Sequence, residues 1–176
     1  MKKIAYVILL SAVTSSAFAE VKGLYVGGNV GQVYTRYPAS SRTGTAITLL
    51  GGYQINDAIA VEAQYGNLGS FSPTATTKAN TTAYSVTAVG NWPFSEQWAG
   101  YIKLGLARTS TKFDAGAVQA SAYTANRNQL TGGIGGQFDV NQALGVRFGY
   151  DVYGIGDATT GAAKTELTSA GVIYKF

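Results

Sequence analysis

The stretch that decides the fold is LGVRFGYDV, residues 144–152. Every second position holds a large apolar side chain, from Leu144 to Val152, and the positions between them hold glycine or a charged residue. Successive side chains of a β-strand point to opposite faces. The alternation therefore predicts a strand with one apolar face and one face of small or charged residues.

The same period of two recurs in seven further segments. Their apolar faces run over Leu24–Val30, Ile47–Tyr53, Ile59–Tyr65, Tyr84–Trp92, Trp98–Leu106, Leu130–Phe138 and Ala170–Phe176. Each segment is near the roughly 9–11 residues of a strand that crosses a membrane, and eight is an even count, as single-chain bacterial outer-membrane barrels require.

The composition is unusual for a soluble protein. Charged residues make up 12% of the chain, about half of the ~25% typical of soluble domains. No stretch after Val13 approaches the about 18 unbroken apolar residues of a helical span. A barrel crosses a membrane with a weaker, alternating signal, since only half of each strand faces lipid. We therefore expect an all-β fold, an eight-stranded antiparallel up-and-down transmembrane β-barrel.

Alternation alone leaves open whether the apolar face points outward to lipid or inward, as in a lipocalin-like soluble barrel. The opposite face favours the outward arrangement, because it is nearly free of charge and its small residues suit a narrow interior. That face comprises Thr45, Ala46, Thr48, Gly52, Ala60, Glu62, Gln64, Gly66, Ser85, Thr87, Asn91, Thr131, Gly133, Gly135 and Gln137.

Aromatic residues on the apolar face fall into two groups along the strands. Tyr53, Trp92, Trp98, Phe138, Tyr174 and Phe176 lie toward one end, and Tyr65, Tyr84 and Tyr150 lie toward the other. Amphipathic rings concentrate at the two lipid–water boundaries of a membrane barrel. The grouping therefore also predicts an outward apolar face.

The connections between strands differ in length. Three are tight, near Gln54–Asp57, Pro93–Gln97 and Asp139–Gln142, and contain turn-forming Asn, Asp and Pro. Four are longer, near Thr35–Thr43, Gly69–Thr81, Ser110–Arg127 and Gly154–Lys164. Short turns of outer-membrane barrels face the periplasm and long loops face outward, so we expect both termini in the periplasm.

The N-terminal segment has the order of an export signal. Lys2 and Lys3 precede an apolar run from Ile4 to Val13, and the segment ends in Ala17-Phe18-Ala19. A basic start, a short apolar region and an A-x-A site are the marks of a secretory signal peptide. We predict a signal peptide over residues 1–19 and a barrel domain over residues 20–176.

The sequence excludes several kinds of chemistry. It contains no Cys and no His, so a disulfide, a thiolate nucleophile, a Cys/His zinc site and a Ser-His-Asp triad are all impossible within this chain. We expect no catalytic residues, no metal and no cofactor. The net charge of +4 falls to about +2 without Lys2 and Lys3, too little to suggest nucleic acid.

Several short stretches resemble the OmpA-type transmembrane domain and the opacity-like surface proteins. They are Gly23–Gly28, Gly52–Asp57, Ala60–Ala63, Lys103–Ala107 and Val146–Asp151. The terminal Tyr174-Lys175-Phe176 is similar to the signal by which such barrels are recognised for insertion. The resemblance implies the barrel-assembly machinery and periplasmic chaperones as partners. Because the sequence stops at Phe176, we expect no peptidoglycan-binding domain of the kind found in longer relatives and do not carry over a wall-tethering role.

Four charged residues are predicted to meet inside the barrel: Glu62, Lys103, Arg147 and Asp151. The first three lie on alternate strands at similar heights above a tight turn, and Asp151 lies one layer higher. Charges in a narrow interior must be paired. The cluster is either a static brace or, as the resemblance to barrels with such a cluster implies, a gate for small ions. Catalysis is disfavoured, since neither carboxylate has an evident nucleophile partner.

Basic residues predominate in the longer connections: Arg36, Arg42, Lys78, Lys112, Arg127 and Lys164, against Asp114, Asp157 and Glu166. Lys and Arg pair well with phosphate, so these residues would suit an outer leaflet dense in lipopolysaccharide. They equally suit ordinary solubilising charges. The same connections also suggest an adhesin, although they are poor in the aromatic residues that favour binding hot spots.

The sequence as a whole predicts a monomeric, integral outer-membrane barrel, exported through a cleaved signal peptide. Its expected role is structural or at the cell surface, with at most a narrow, gated ion path. The alternative is a surface adhesin or host-contact protein that acts through its loops.

Overall fold

A computed structural model describes residues 23–37, 40–74, 77–113, 123–155 and 164–176. Eight strands form one closed antiparallel barrel in sequence order, with the last strand paired to the first. Their bounds are β1 Leu24–Tyr37, β2 Ser40–Gln54, β3 Ile59–Thr74, β4 Thr77–Pro93, β5 Trp98–Phe113, β6 Tyr123–Asp139, β7 Leu144–Ile155 and β8 Lys164–Lys175. The predicted fold class is confirmed. The predicted signal peptide lies outside the described residues.

The barrel carries its large apolar side chains on the outside. Val30 is 61% exposed and Leu106 is 67% exposed, whereas inward-facing Thr48 and Glu62 are each 1% exposed. This is the reverse of a soluble barrel, and it confirms the outward apolar face. One residue was assigned to the wrong face: Thr45 is exposed because it shares the parity of the outward Ile47.

Three tight turns close one end of the barrel, which we call the turn end. They span residues 55–58, 94–97 and 140–143, as predicted. The Asn56 side chain accepts hydrogen bonds from the backbone amides of Ala58 and Ile59 at 2.9 and 2.8 Å. Asn141 does the same for Ala143 and Leu144. An asparagine side chain thus caps two of the three turns in the way that Asx turns do.

The opposite end, which we call the loop end, corrects the sequence-based boundaries. Much of what was predicted as long connections is strand: β1 and β2 pair up to Tyr37 and Ser40, and β3 and β4 pair up to Thr74 and Thr77. The sequence of these stretches is rich in Ser, Thr, Ala and Gly, so it lacks the apolar period of two. Backbone pairing nevertheless continues through them, and their threonines are favourable in strands.

Two glycines with positive φ mark irregularities near the loop end. Gly69 has φ +89° and lies within a register shift between β3 and β4. Gly154 has φ +90° and lies where Leu130 pairs with Ile155 but Thr131 pairs with Tyr153. One extra residue in one strand is a β-bulge, and glycine tolerates this backbone conformation.

Within the described part of the chain, no helix has the length and apolar character needed to cross a membrane.

Candidate functional site in the barrel lumen

The four predicted charged residues meet in the middle of the lumen. Glu62, Lys103, Arg147 and Asp151 are all at least nine-tenths buried. Glu62 accepts a hydrogen bond from Nη1 of Arg147 through Oε2, and its Oε1 lies 3.5 Å from Nζ of Lys103. Nζ of Lys103 also lies 3.0 Å from Oδ1 of Asp151. The four charges therefore alternate in sign along one connected chain, which we call the charged layer.

Strand order explains why these side chains converge. They come from β3, β5 and β7, and the strands between place small residues beside them. Glu62 pairs with Thr87 on β4, and Gly133 on β6 pairs with both Lys103 and Asp151. A Cβ at Gly133 would lie 2.2 Å from Oδ1 of Asp151. The intervening strands thus leave the space that long charged side chains need.

Two tyrosines that sequence reasoning missed complete the charged layer on its turn-end side. The Tyr25 hydroxyl donates to Oε2 of Glu62 at 3.2 Å. The Tyr101 ring lies 4.1 Å from the guanidinium carbon of Arg147, and its hydroxyl donates to the carbonyl of Phe148 at 3.1 Å. The contact of Arg147 with this ring is a cation–π interaction, which is strengthened when the pair is shielded from water.

A polar contact on the loop-end side was also missed. The Gln64 side-chain oxygen accepts a hydrogen bond from Lys103 at 3.2 Å, and its nitrogen donates to the Tyr153 hydroxyl at 3.4 Å. Lys103 is therefore held by one hydrogen-bond acceptor, Gln64, and by ion pairs with two carboxylates, Glu62 and Asp151. Sequence parity had placed Gln64 on the inner face but gave no indication of its partner.

Inward glycines give the tyrosine rings their space. A Cβ at Gly52 would lie 2.1 Å from Cζ of Tyr25. A Cβ at Gly135 or Gly149 would lie 2.3 or 2.4 Å from the Tyr101 hydroxyl oxygen. The sequence did contain a signal for these two tyrosines: each is an inward aromatic residue with glycines on the neighbouring strands. The signal can be recognised only when the strand register is known.

Apolar layers cover the charged layer on both sides. The turn-end layer comprises Tyr25, Leu50, Ala60, Val89, Tyr101 and Ile173. The loop-end layer comprises Val33, Ala46, Leu68, Ala83, Ala107, Tyr153 and Leu167. Leu167 is fully buried, and Tyr153 and Val33 are only 2% and 3% exposed. The charges thus lie between two layers of packed apolar side chains.

A polar vestibule opens at the turn end. It has a volume of about 440 Å³ and extends from Asp57, Asp139 and Lys175 to the underside of Arg147. Lys175 and Asp139 form an ion pair of 2.7 Å at its rim. The turn-end apolar residues Tyr25 and Ile173 also line it, and its inner end is at Arg147 of the charged layer.

The predicted basic residues of the loop end lie on several strands, and Arg36 on β1 lies directly opposite Lys164 on β8. Arg36 and Lys112 are exposed on β1 and β5, and Arg127 is half-buried on β6, where strand alternation places it on the lumen side. Lys164 is 49% exposed and lies 3.0 Å from a carboxylate oxygen of Glu166. Arg42 and Lys78 lie in stretches whose side chains are not described. Among the residues whose side chains are described, Arg36 and Lys164 are therefore neighbours, whereas Lys112 and Arg127 lie on β5 and β6.

The predicted assembly signal and girdles have clear positions. The Tyr174 and Phe176 rings pack edge to face at 5.1 Å. Tyr53, Trp92, Trp98 and Tyr174 are each 44–47% exposed at the turn end. Tyr65, Tyr84 and Tyr150 form the second group toward the loop end, with Tyr65 and Tyr84 in ring contact at 5.0 Å. Arg108 on β5 is a further outward residue at this level, opposite Tyr84. The sequence analysis did not include it, because it predicted that the apolar face of this strand ends at Leu106.

A closed eight-stranded barrel with an apolar exterior, two aromatic girdles and a charged interior defines an integral membrane protein of the outer-membrane barrel class. The family of outer membrane protein beta-barrel domains matches residues 5–176, and the chain belongs to this family. Membership places the protein in the bacterial outer membrane. It also confirms the resemblance to outer-membrane barrels that the sequence motifs indicated.

Several solved structures share the fold. The neisserial surface protein A (NspA) is 20% identical, with a TM-score of 0.76 over 88% of this chain and 98% of that chain. Ail, the attachment invasion locus protein of Yersinia pestis, is 19% identical, with a TM-score of 0.65 over 88% and 99%. The N-terminal barrel of Pseudomonas aeruginosa OprF is 15% identical, with a TM-score of 0.64 over 88% and 98%. At these identities the likeness is one of fold. No curated protein matches the sequence.

Proposed function

We propose that this protein is a structural and surface component of the outer membrane whose lumen is braced shut by the charged layer. The observation that carries the proposal is the enclosure of two acids and two bases, mutually compensated, between two apolar layers. Buried charges that are paired and hydrogen-bonded fix one arrangement of the strands that carry them. The layer thereby links β3, β5 and β7 across the interior.

The apolar layers favour a brace over an ion path. An ion entering from the loop end must pass Val33, Tyr153 and Leu167, which are packed to near-complete burial. An apolar constriction without water opposes ion passage, since an ion that leaves water loses its hydration energy without a replacement. Rearrangement of the salt bridges alone would leave this plug in place.

The remaining features of the proposal concern the envelope. The short turns would face the periplasm and the loop end the cell exterior. Export would use a signal peptide over residues 1–19 that is cleaved before Glu20. The barrel would fold as a monomer with help from periplasmic chaperones and the barrel-assembly machinery, with Tyr174 and Phe176 as part of the assembly signal. It requires no nucleic acid and no cofactor, and its structural role involves no enzymatic reaction.

Single-channel conductance in a planar bilayer tests the proposal. The refolded wild-type protein, with folding verified by its heat-modifiable mobility on a gel, is expected to be silent. Leu167→Ser, which weakens the apolar plug but spares the charged layer, is expected to produce small openings. Discrete openings in the wild type that Arg147→Glu alters would instead make the charged layer a gate and overturn the closed barrel.

A host-contact role is a second candidate, and the height of one side of the barrel favours it. Pairing of β3 with β4 continues from Tyr65 in the outer girdle to Thr74, nine residues or about 30 Å along the strand. Pairing of β5 with β6 likewise reaches Phe113 and Tyr123. The outer parts of these two strand pairs would project from the membrane toward a partner.

Cell binding distinguishes the two roles. Bacteria that display the wild-type barrel are compared with bacteria displaying a variant in which residues 70–79 are replaced by a two-residue Asn-Gly turn. An adhesin predicts that attachment to epithelial cells falls with the shortened hairpin while the amount of folded barrel is unchanged. Equal attachment would exclude this hairpin as an adhesive element.

A further inference from the structure

The outer surface of the barrel contains a groove that the closed-barrel role does not explain. It lies on the lipid-facing side of β2 to β6 and has a volume of about 770 Å³. Gly51 and Ala63, which pair directly across β2 and β3, make its shallow part. Leu49, Val86 and Leu106 stand beside them, each 59–67% exposed. The groove is therefore a depression in the apolar surface between larger side chains.

The loop-end rim of this groove is amphipathic. The tilted pair of Tyr65 and Tyr84, 5.0 Å apart, lies directly above the small residues. Arg108 follows in the same row, opposite Tyr84 on β4 and Asn128 on β6. All three residues of the row, Tyr65, Tyr84 and Arg108, line the groove. A cation and two phenol groups thus stand where an apolar groove meets the lipid–water boundary.

Arg108 is exposed, and no carboxylate in the described part of the chain pairs with it. Lys112 lies four residues further along the same outward face of β5 and is also exposed, about 13 Å beyond Arg108. Two cations in a column above an apolar groove match the chemistry of a lipid with phosphate groups above several acyl chains. Guanidinium binds phosphate through two parallel hydrogen bonds.

We propose that this groove is a specific site for the lipid A portion of lipopolysaccharide. Acyl chains lie over Gly51 and Ala63 between Leu49, Val86 and Leu106, and a phosphate group pairs with Arg108. The site rests on the proposed orientation, in which the loop end meets the outer leaflet. It does not depend on whether the lumen conducts.

A second lipid-facing groove supplies a matched control. It lies on the other side of the barrel, has a volume of about 570 Å³ and is lined by Val30, Phe148 and Tyr150, among others. Two outward cations, Lys164 and Arg36, lie opposite each other at the loop end on this side, and Lys164 is paired with Glu166 at 3.0 Å. A compensated cation is a weaker phosphate ligand, so removal of Lys164 is expected to leave lipid A binding unchanged.

Native mass spectrometry of the purified full barrel in detergent tests the site, with diphosphoryl lipid A and phosphatidylglycerol as separate probes. The wild type is expected to retain lipid A in preference to phosphatidylglycerol. Arg108→Gln is expected to weaken retention about tenfold, the effect of losing one charged hydrogen-bonded pair. Gly51→Val, which fills the groove, is expected to weaken it similarly, and Lys164→Gln is expected to match the wild type.

The variants Arg108→Gln and Gly51→Val should not disturb the packing of the barrel. Arg108 is exposed, and a Cβ at Gly51 would meet no heavy atom closer than 4.0 Å, so folding is expected in each case. Equal retention of lipid A and phosphatidylglycerol, or wild-type retention by both variants, would reduce the groove to ordinary contact with surrounding lipid. Neither result bears on the closed barrel, which is tested separately by conductance.

Discussion

Gly52 and Tyr25 face each other across β1 and β2, and the tyrosine ring occupies the space that a side chain at position 52 would need. A Cβ there would lie 2.1 Å from Cζ of Tyr25. The adjacent glycine, Gly51, points to the opposite face, where a Cβ would meet no heavy atom closer than 4.0 Å. Position 52 thus has no room for a side chain beside Tyr25, whereas position 51 has room for one on the outer face.

Substitution of these two glycines by alanine should separate their roles. Gly52→Ala must displace Tyr25 from the Glu62 carboxylate, and overpacking of this kind costs about 1–3 kcal/mol. Gly51→Ala meets no obstacle, and loss of glycine's backbone freedom should leave stability unchanged or raise it by about 0.5–1 kcal/mol. Urea unfolding in lipid vesicles, followed by tryptophan fluorescence, measures both. Equal effects would mean that Tyr25 is not held where the structure places it.

Removal of Arg147 should be among the most damaging single changes in the lumen. Arg147→Met leaves the Glu62 carboxylate buried with the neutral Tyr25 hydroxyl at 3.2 Å and with Lys103, its remaining cation, at 3.5 Å. Breaking one partner of a buried pair costs about 3–5 kcal/mol. Because the penalty comes from the unpaired carboxylate, Glu62→Gln combined with Arg147→Met should recover a large part of it.

The same urea titrations compare the two single variants with the double variant. The double variant is expected to lose less stability than the sum of the two single variants. It contains no unpaired Glu62 carboxylate, and the Lys103–Asp151 pair at 3.0 Å remains intact. Additive losses for Glu62→Gln and Arg147→Met would show that the two side chains act independently, contrary to their contact.

How far the sequence predicts this molecule depends on the kind of signal. Outward apolar residues such as Leu106 and Val30 repeat with the period of the strand, so the eight strands and their faces follow from the pattern. The turns capped by Asn56 and Asn141 follow from local hydrogen bonding. Both signals are carried by neighbours in sequence.

The unpredicted features depend on neighbours in space. The strand ends beyond Thr35 and Gly69 lack an apolar period, and only backbone pairing reveals them. Tyr25 and Tyr101 are single inward aromatics whose partners, Glu62 and Arg147, lie on distant strands. The charged layer itself was predicted because the need to pair buried charges restricts where such residues can meet.

The two tryptophans should report the depth of the turn-end girdle. Trp92 and Trp98 are 46% and 45% exposed at the same end of the barrel, and Trp98 packs against Phe138 at 4.9 Å. The hydrocarbon core is about 30 Å thick, so both indoles should lie about 15 Å from the bilayer centre. Quenching by lipids brominated at graded depths, measured on Trp92→Phe and Trp98→Phe variants, locates each. Strongest quenching near the centre would contradict the girdle.

Tyr101 contributes to the lumen in two ways that substitution should separate. Tyr101→Phe removes the hydroxyl that donates to the Phe148 carbonyl at 3.1 Å but keeps the ring beneath Arg147, so the expected cost is about 1 kcal/mol. Tyr101→Leu also removes the cation–π contact at 4.1 Å, which adds about 1–2 kcal/mol in a shielded site.

The separation is measured by unfolding both variants in the wild type and in the Arg147→Met background. If the ring stabilises Arg147, the difference between Phe and Leu at position 101 should shrink when the guanidinium is absent. The cost of losing the hydroxyl should persist, because its acceptor is a backbone carbonyl. A Phe–Leu difference that is the same in both backgrounds would assign the ring to apolar packing alone.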